Sequence, residues 1–154
     1  AGIKAIRAGK DILTDIEMVK TGVIKRWLDP FGGKVICRIS DADVVRHSKE
    51  TGKTRSEIAV VKALEESNNI GIIAIGNAPT ALLKLIELFN NSSLVTRYSS
   101  LVVGVPVGFV KALESKAMLS AQEFPFITNL SRKGGTPVAV AIVNALLKMA
   151  GEGR

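Results

Sequence analysis

Cysteine and aromatic residues are scarce in this sequence, and each scarcity excludes a class of protein. The 154 residues include a single cysteine, Cys37, which cannot form an internal disulfide and is typical of a reducing cytoplasm. Aromatic residues make up 5% of the chain, and no basic stripe is interleaved with them, so we expect no nucleic-acid binding. The longest nearly apolar run, 101–110, is shorter than the roughly 18–20 residues that a membrane helix needs. We therefore predict a cytoplasmic protein that does not bind membranes.

Several common sites are also excluded by what is missing. The only histidine, His47, lies ten positions after Cys37, and these two residues make no plausible zinc site. The segment Gly52-Lys53-Thr54 resembles the end of a P-loop, but His47 stands where the first glycine is required. No G-x-G-x-x-G follows the first predicted strand, which argues against a dinucleotide site. We interpret Cys37 as a core thiol and His47 as a surface residue.

The composition that remains describes one globular domain over residues 1–154. Hydrophobic residues make up 47% of the chain, and 21 basic against 14 acidic residues give a net charge of +7. Such an excess favours an anionic partner through long-range attraction.

Five short apolar runs predict buried strands at 12–14, 35–39, 70–75, 101–105 and 126–130. The runs are continuous rather than alternating, as expected when helices cover both faces of a parallel sheet. Helical spacing of apolar residues at 79–90 and 136–149 predicts helices between and after them. The alternation of strands and helices predicts an α/β fold with three layers, α/β/α.

Helix starts carry clear signals in this sequence. Thr54 and Glu57 have the spacing of a capping box. Gly135-Thr136-Pro137 predicts a threonine cap followed by proline at the first helical position, and 76–80 predicts a helix start of the same kind. Unpaired amides at helix starts favour anions, so these turns are candidate anion sites, although capping alone also explains each of them.

Six segments together resemble the precorrin-8X methylmutase family, also called the cobalt-precorrin-8 methylmutase family. The similarity runs through roughly residues 8–148, and it depends on the order of the segments rather than on any one of them. The segments are D-I-E-M-V at 15–19, T-R-S at 54–56, A-I-G-N-A-P-T-A-L at 74–82, G-V-P-V-G-F-V at 104–110, E-S-K at 114–116 and R-K-G-G at 132–135.

The resemblance implies a flavodoxin-like five-stranded parallel sheet of order 2-1-3-4-5, a homodimer, and a site built from strand-end loops near the dimer interface. It implies an isomerase of vitamin B12 biosynthesis that moves a methyl group from C-11 to C-12 of precorrin-8X or cobalt-precorrin-8. The product is hydrogenobyrinate or cobyrinate, and no protein-bound cofactor is needed. Whether the substrate already contains cobalt is left open by the sequence.

The predicted substrate contacts suit an apolar macrocycle that is edged with carboxylates. Arg55, Lys116 and the helix starts are expected to receive carboxylates, small residues let the backbone approach the ring, and Phe109 and Val107 pack on its face. The full set is Thr14, Asp15, Thr54, Arg55, Ser56, Asn77, Thr80, Val107, Gly108, Phe109, Glu114, Ser115, Lys116, Gly134 and Gly135.

The catalytic residue stays unassigned. The resemblance implies a histidine as general acid in an N-terminal segment that precedes the position of Ala1, and His47 does not match its place. We therefore expect this domain, without that segment, to bind product and catalyse poorly. Two alternatives remain open: a corrinoid-binding protein without turnover, and a flavodoxin-like module that binds FMN or phosphate, for which Asp15 would be a weak phosphoacceptor candidate.

Overall fold

The structure is a computed structural model that describes residues 1–91 and 100–152. Helices and parallel strands alternate along the chain. In order, the elements are α1 (Gly2–Arg7), β1 (Asp11–Thr14), α2 (Glu17–Gly22), α3 (Lys25–Leu28), a 3₁₀ turn (Asp29–Phe31), β2 (Val35–Ile36), α4 (Ala42–Thr51), α5 (Arg55–Glu66), β3 (Ile70–Ile75), α6 (Pro79–Asn90), β4 (Leu101–Gly104), α7 (Ala112–Ser120), β5 (Phe126–Thr128) and α8 (Thr136–Gly151).

The five strands form one parallel sheet in the order β2-β1-β3-β4-β5, which confirms the predicted order. Ile12 lies opposite Val35 on one side and Ile72 on the other. Every residue of β1, β3 and β4 is buried. Burial on both faces explains why these strands read as continuous apolar runs.

Helices cover both faces of the sheet, as the three-layer prediction requires. Successive strand residues point to opposite sides: Ile73 and Ile75 pack in a core with α5, α6 and α7. Ile72 and Ala74 pack in a second core with α1, α2 and α8. Among the described residues, no helix is both long and apolar enough to cross a bilayer.

The predicted strands β2 and β5 extend further than the observed ones, because the chain turns away from the sheet earlier. Strand β2 ends at Ile36 because the chain turns at Arg38, whose carbonyl accepts a hydrogen bond from the Asp41 amide at 3.1 Å. Strand β5 ends at Thr128, and a turn follows in which the Ser131 amide donates to the Asn129 carbonyl at 3.0 Å. Cys37 therefore lies just beyond β2 rather than inside it.

Two of the three predicted helix starts need correction. Thr54 caps α5 as predicted, since its hydroxyl accepts a hydrogen bond from the Glu57 amide at 3.2 Å. Helix α8, however, begins at Thr136, and Gly135 is the residue before it, with a φ of 103° that favours glycine. The Gly135 carbonyl accepts from the Ala139 amide at 3.1 Å, so no threonine cap forms. Ala78, not Asn77, precedes α6.

Candidate functional site

The predicted site residues lie along one edge of the sheet, which we call the carboxyl edge. It consists of the loops that follow β1, β3, β4 and β5, together with the first residues of α5 to α8. The strand order reverses between β1 and β3, and ligands of open α/β sheets bind at such a reversal. The placement of the predicted residues on one edge is therefore suited to a binding site.

Asp15 lies directly after β1 and is fully buried. Its Oδ1 accepts a hydrogen bond from the Gly76 amide at 3.1 Å, and its Oδ2 accepts from the Asn77 and Ala78 amides at 2.8 Å each. Burial raises the pKa of Asp15, and the amide hydrogen bonds oppose that rise. This carboxylate has no exposed surface, and both of its oxygens accept hydrogen bonds, so it is not placed to contact a substrate or accept a phosphoryl group. We therefore replace its expected role as a substrate contact by a structural one, the support of the β3–α6 loop.

Thr14, the last residue of β1, is also turned into the protein. Its hydroxyl lies 3.3 Å from the Ile36 carbonyl oxygen and 3.4 Å from that of Ile16. The neighbouring Cys37 is buried, and burial raises the pKa of its thiol, which fits an unreactive core cysteine. Thr14 therefore ties β1 to β2, and it shows no exposed surface for a ligand.

The starts of α5 and α6 meet at the carboxyl edge. The hydroxyl oxygens of Thr54 and Thr80 are 2.8 Å apart. Arg55 and Asn77 are exposed beside them, whereas Ser56 is buried. This part of the edge thus presents a guanidinium and a carboxamide to solvent.

The β4–α7 loop presents apolar side chains. Phe109 is 84% exposed and Val110 is 77% exposed, and Val107 is exposed beside them. The Arg132 guanidinium lies 5.7 Å from the centre of the Phe109 ring, within the range of a cation–π contact. The Gly108 amide donates to the Arg132 carbonyl at 3.3 Å, so the loops after β4 and β5 are joined.

Lys116 lies in α7 and is fully buried. Its ammonium donates to the Lys133 carbonyl at 2.8 Å and lies 3.5 Å from Asn129 Oδ1. Burial lowers the pKa of Lys116. We therefore revise its expected role from a receiver of substrate carboxylates to a support of the loop after β5.

Of the other two residues of the E-S-K segment, one is buried and one is exposed. Ser115 is buried, and its hydroxyl donates to the Ala112 carbonyl at 3.0 Å. Glu114 is exposed in the first turn of α7, so only this member of the segment faces solvent.

Gly134 and Gly135 hold the loop after β5 against the end of β4. Gly134 has a φ of 149°, and a Cβ there would overlap the Val105 carbonyl oxygen. The Gly135 amide donates to that same carbonyl at 2.8 Å. These glycines thus allow a close approach between two backbone segments.

The part of the carboxyl edge formed by the starts of α5 and α6 adjoins the part formed by the loops after β4 and β5. The Val105 amide donates to the Ile75 carbonyl at 2.9 Å, and a Cβ on Gly76 would lie 3.1 Å from Thr136 Cα. Two cavities of about 490 and 430 Å³ lie elsewhere, one lined by Lys4 and Asn68 and one by Trp27 and Leu147.

Some supporting residues were missed by sequence reasoning. Asn129 receives the Lys116 ammonium and donates from Nδ2 to the Lys133 carbonyl at 3.0 Å. No spacing pattern pointed to it, whereas Arg132 lay in a segment already singled out. Within residues 1–91 and 100–152, no group of three or more metal-ligating side chains comes together.

Comparisons with known proteins agree with these motifs. A family model described as precorrin-8X methylmutase matches residues 1–149. The cobalt-precorrin-8 methylmutase of Priestia megaterium is 47% identical over 153 residues, 99% of this chain and 66% of that protein. Its counterpart from Salmonella typhimurium is 48% identical over 143 residues, 93% of this chain and 65% of that protein. The chain thus spans slightly less than two thirds of the length of these two relatives.

A solved structure gives the same result for the fold. The precorrin-8x methyl mutase of Thermus thermophilus superposes with a TM-score of 0.84 at 39% identity, covering 99% of this chain and 71% of that one. This likeness agrees with the five-stranded fold described above.

Proposed function

The chain belongs to the precorrin-8X methylmutase family, and from this we propose that the protein is an isomerase of cobalamin biosynthesis. The reaction moves a methyl group from C-11 to C-12 of precorrin-8X or cobalt-precorrin-8. The product is hydrogenobyrinate or cobyrinate. The observation that carries the proposal is the assembly of the family's motif segments on one edge, the carboxyl edge.

The exposed residues of that edge match the chemistry of the substrate. A corrinoid precursor is a broad apolar ring with a rim of acetate and propionate groups. Arg55 offers a planar guanidinium that binds carboxylates in a bidentate manner, while the exposed Phe109 and Val107 offer apolar surface. The net charge of +7 attracts a polyanion from a distance.

In this proposal the residues of the edge bind and orient the macrocycle. An intramolecular shift depends on holding the migrating group and its acceptor carbon in reactive geometry. His47 does not match the histidine that the resemblance implies as proton donor. We therefore assign substrate binding to Arg55, Asn77 and Phe109, and we assign proton transfer to none of them.

We also propose that the protein is a cytoplasmic homodimer. Besides the expected substrate contacts, large apolar side chains are exposed at the carboxyl edge, among them Val110 and Leu130. Clusters of exposed apolar side chains mark binding or association surfaces. Sedimentation at several concentrations tests this part: a mass of two chains supports it, and a single chain throughout contradicts it.

Titration with hydrogenobyrinate, followed by visible absorption, tests the binding part of the proposal. The control for Arg55→Gln is Arg46→Gln, because Arg46 is an exposed arginine on α4 whose Nε lies 4.0 Å from a Glu50 carboxylate oxygen. We expect Arg55→Gln to weaken binding about tenfold or more, which equals the loss of one charge-assisted contact, and Arg46→Gln to bind like the unmodified chain.

Turnover is tested by adding precorrin-8X and following the change of its spectrum. Catalytic conversion supports the isomerase. Binding without conversion favours the non-catalytic corrinoid-binding alternative, and a chain that binds flavin but no corrinoid contradicts the proposal.

A further inference from the structure

Three backbone amides at the start of the β3–α6 loop point at one carboxylate. We call them the amide cluster: the N–H groups of Gly76, Asn77 and Ala78. They donate to the two oxygens of Asp15 at 3.1, 2.8 and 2.8 Å. Asp15 comes from a different strand end, 61 residues earlier in the chain than Gly76, so the contact fixes β1 relative to β3 at the reversal of strand order.

A group of amides of this kind ahead of a helix is a site that attracts an anion. Backbone N–H groups that converge beside the positive end of a helix bind phosphate or carboxylate. Here Asp15 already fills that place and is fully buried. The amide cluster is therefore not available to a substrate carboxylate, contrary to the expectation from the sequence.

Packing holds the loop from the other side. A Cβ on Gly76 would lie 3.0 Å from Ala139 Cβ and 3.1 Å from Val19 Cγ2, so α8 and α2 close on this glycine. Asp15 on one side and these helices on the other fix the conformation of the β3–α6 loop. In that conformation the Asn77 side chain is exposed, and the hydroxyl oxygens of Thr80 and Thr54 are 2.8 Å apart.

We propose that Asp15 is a positioning residue that provides the amide cluster with an internal anion, so that the substrate's carboxylates bind to exposed side chains of the edge instead. The corrinoid part of this inference rests on the proposed function. The anion part does not, because it concerns only groups within this chain.

The substitution Asp15→Ala tests the inference, with Asp11→Ala as its control. Asp11 is a second buried aspartate on β1, and its Oδ1 accepts one amide, from Lys34 at 2.9 Å. It lies at the opposite end of the strand. Both variants lose a buried carboxylate, but only Asp15→Ala leaves three amides facing a cavity that a small anion can enter.

The first measurement is thermal unfolding in sodium formate against sodium chloride at equal ionic strength. We expect formate to raise the midpoint of Asp15→Ala in a saturable manner, and to leave the unmodified chain and Asp11→Ala unchanged. The second measurement is the dissociation constant of hydrogenobyrinate at a temperature where each variant is folded. We expect it to rise at least tenfold in Asp15→Ala, to recover in part with formate, and to stay within twofold in Asp11→Ala.

Each outcome decides the inference. A folded Asp15→Ala that ignores formate, or that binds hydrogenobyrinate as tightly as the unmodified chain does, overturns it. If Asp15→Ala does not fold, Asp15→Asn replaces it. The asparagine side chain fills the same space but turns an N–H donor toward the backbone amides. We then expect weaker corrinoid binding that formate does not restore, and unchanged binding overturns the inference. If the unmodified chain binds no corrinoid, the proposed function fails, while the formate measurement still decides the role of Asp15.

Discussion

Replacing Gly134 by alanine tests whether the loop after β5 depends on its close approach to β4. Gly134 has a φ of 149°, a conformation that costs a residue with a side chain about 1–3 kcal/mol. The new Cβ would also overlap the Val105 carbonyl oxygen, a backbone atom that cannot rotate away. Relief of this overlap requires the loop to move, which breaks the hydrogen bond from the buried Gly135 amide to that carbonyl. An unsatisfied buried amide costs about 1–3 kcal/mol.

Gly108→Ala is the matched control for this substitution. Gly108 has a similar φ of 140°, but nothing lies within 4 Å of the Cβ position, so only the backbone conformation is penalised there. In urea unfolding we expect Gly108→Ala to lose about 1–3 kcal/mol and Gly134→Ala to lose about 1–3 kcal/mol more. Equal losses in the two variants would refute the reasoning, because they would show that the contact with Val105 has no energetic consequence.

Three further predictions concern other parts of the carboxyl edge. Thr54→Val should lower the free energy of unfolding by about 1 kcal/mol through loss of the α5 cap, and Thr80→Val by less; equal losses in urea would contradict the cap. Burial lowers the pKa of Lys116 below its ordinary 10.5, so the unfolded chain binds more protons than the folded chain between the lowered pKa and 10.5. The unmodified chain should therefore gain stability over Lys116→Met as the pH rises toward 10.5; a constant difference in urea midpoints would contradict this. Phe109→Ala should change stability by less than about 0.5 kcal/mol, since the ring is 84% exposed, yet weaken hydrogenobyrinate binding; unchanged absorption titrations would contradict a contact with the ring.

The strand pattern of this fold was predictable because burial on both faces leaves a plain signal. Strand β3 was predicted at its observed bounds, 70–75, since all six of its residues are buried. The ends of β2 and β5 were not predictable, because the chain leaves the sheet at turns that Asp41 and Ser131 help to form. Turns of this kind depend on local hydrogen bonds that apolar periodicity does not contain.

The burial of Lys116 was indicated by the spacing of residues in α7, although a charged side chain is usually expected to be exposed. The buried residues of α7 are Ala112, Ser115, Lys116 and Leu119, which is the i, i+3, i+4, i+7 spacing of a helix face turned to the core. A lysine on such a face is expected to reach an acceptor inside the protein. The acceptor itself, the Lys133 carbonyl, comes from a distant loop that only the tertiary structure brings near.

Asp15 and Lys116 were expected to face a substrate, and the structure buries both for related reasons. Asp15 offers negative charge to backbone amides, whereas Lys116 offers positive charge to a backbone carbonyl. Each satisfies polar backbone groups of a loop that would otherwise lie unpaired beside the core. The residues of this edge therefore fall into two groups: those that hold the loops in place and those that face solvent and can contact a substrate. Substitutions of Asp15 or Lys116 should change stability and affinity together, whereas substitutions of Arg55 or Phe109 should change affinity alone.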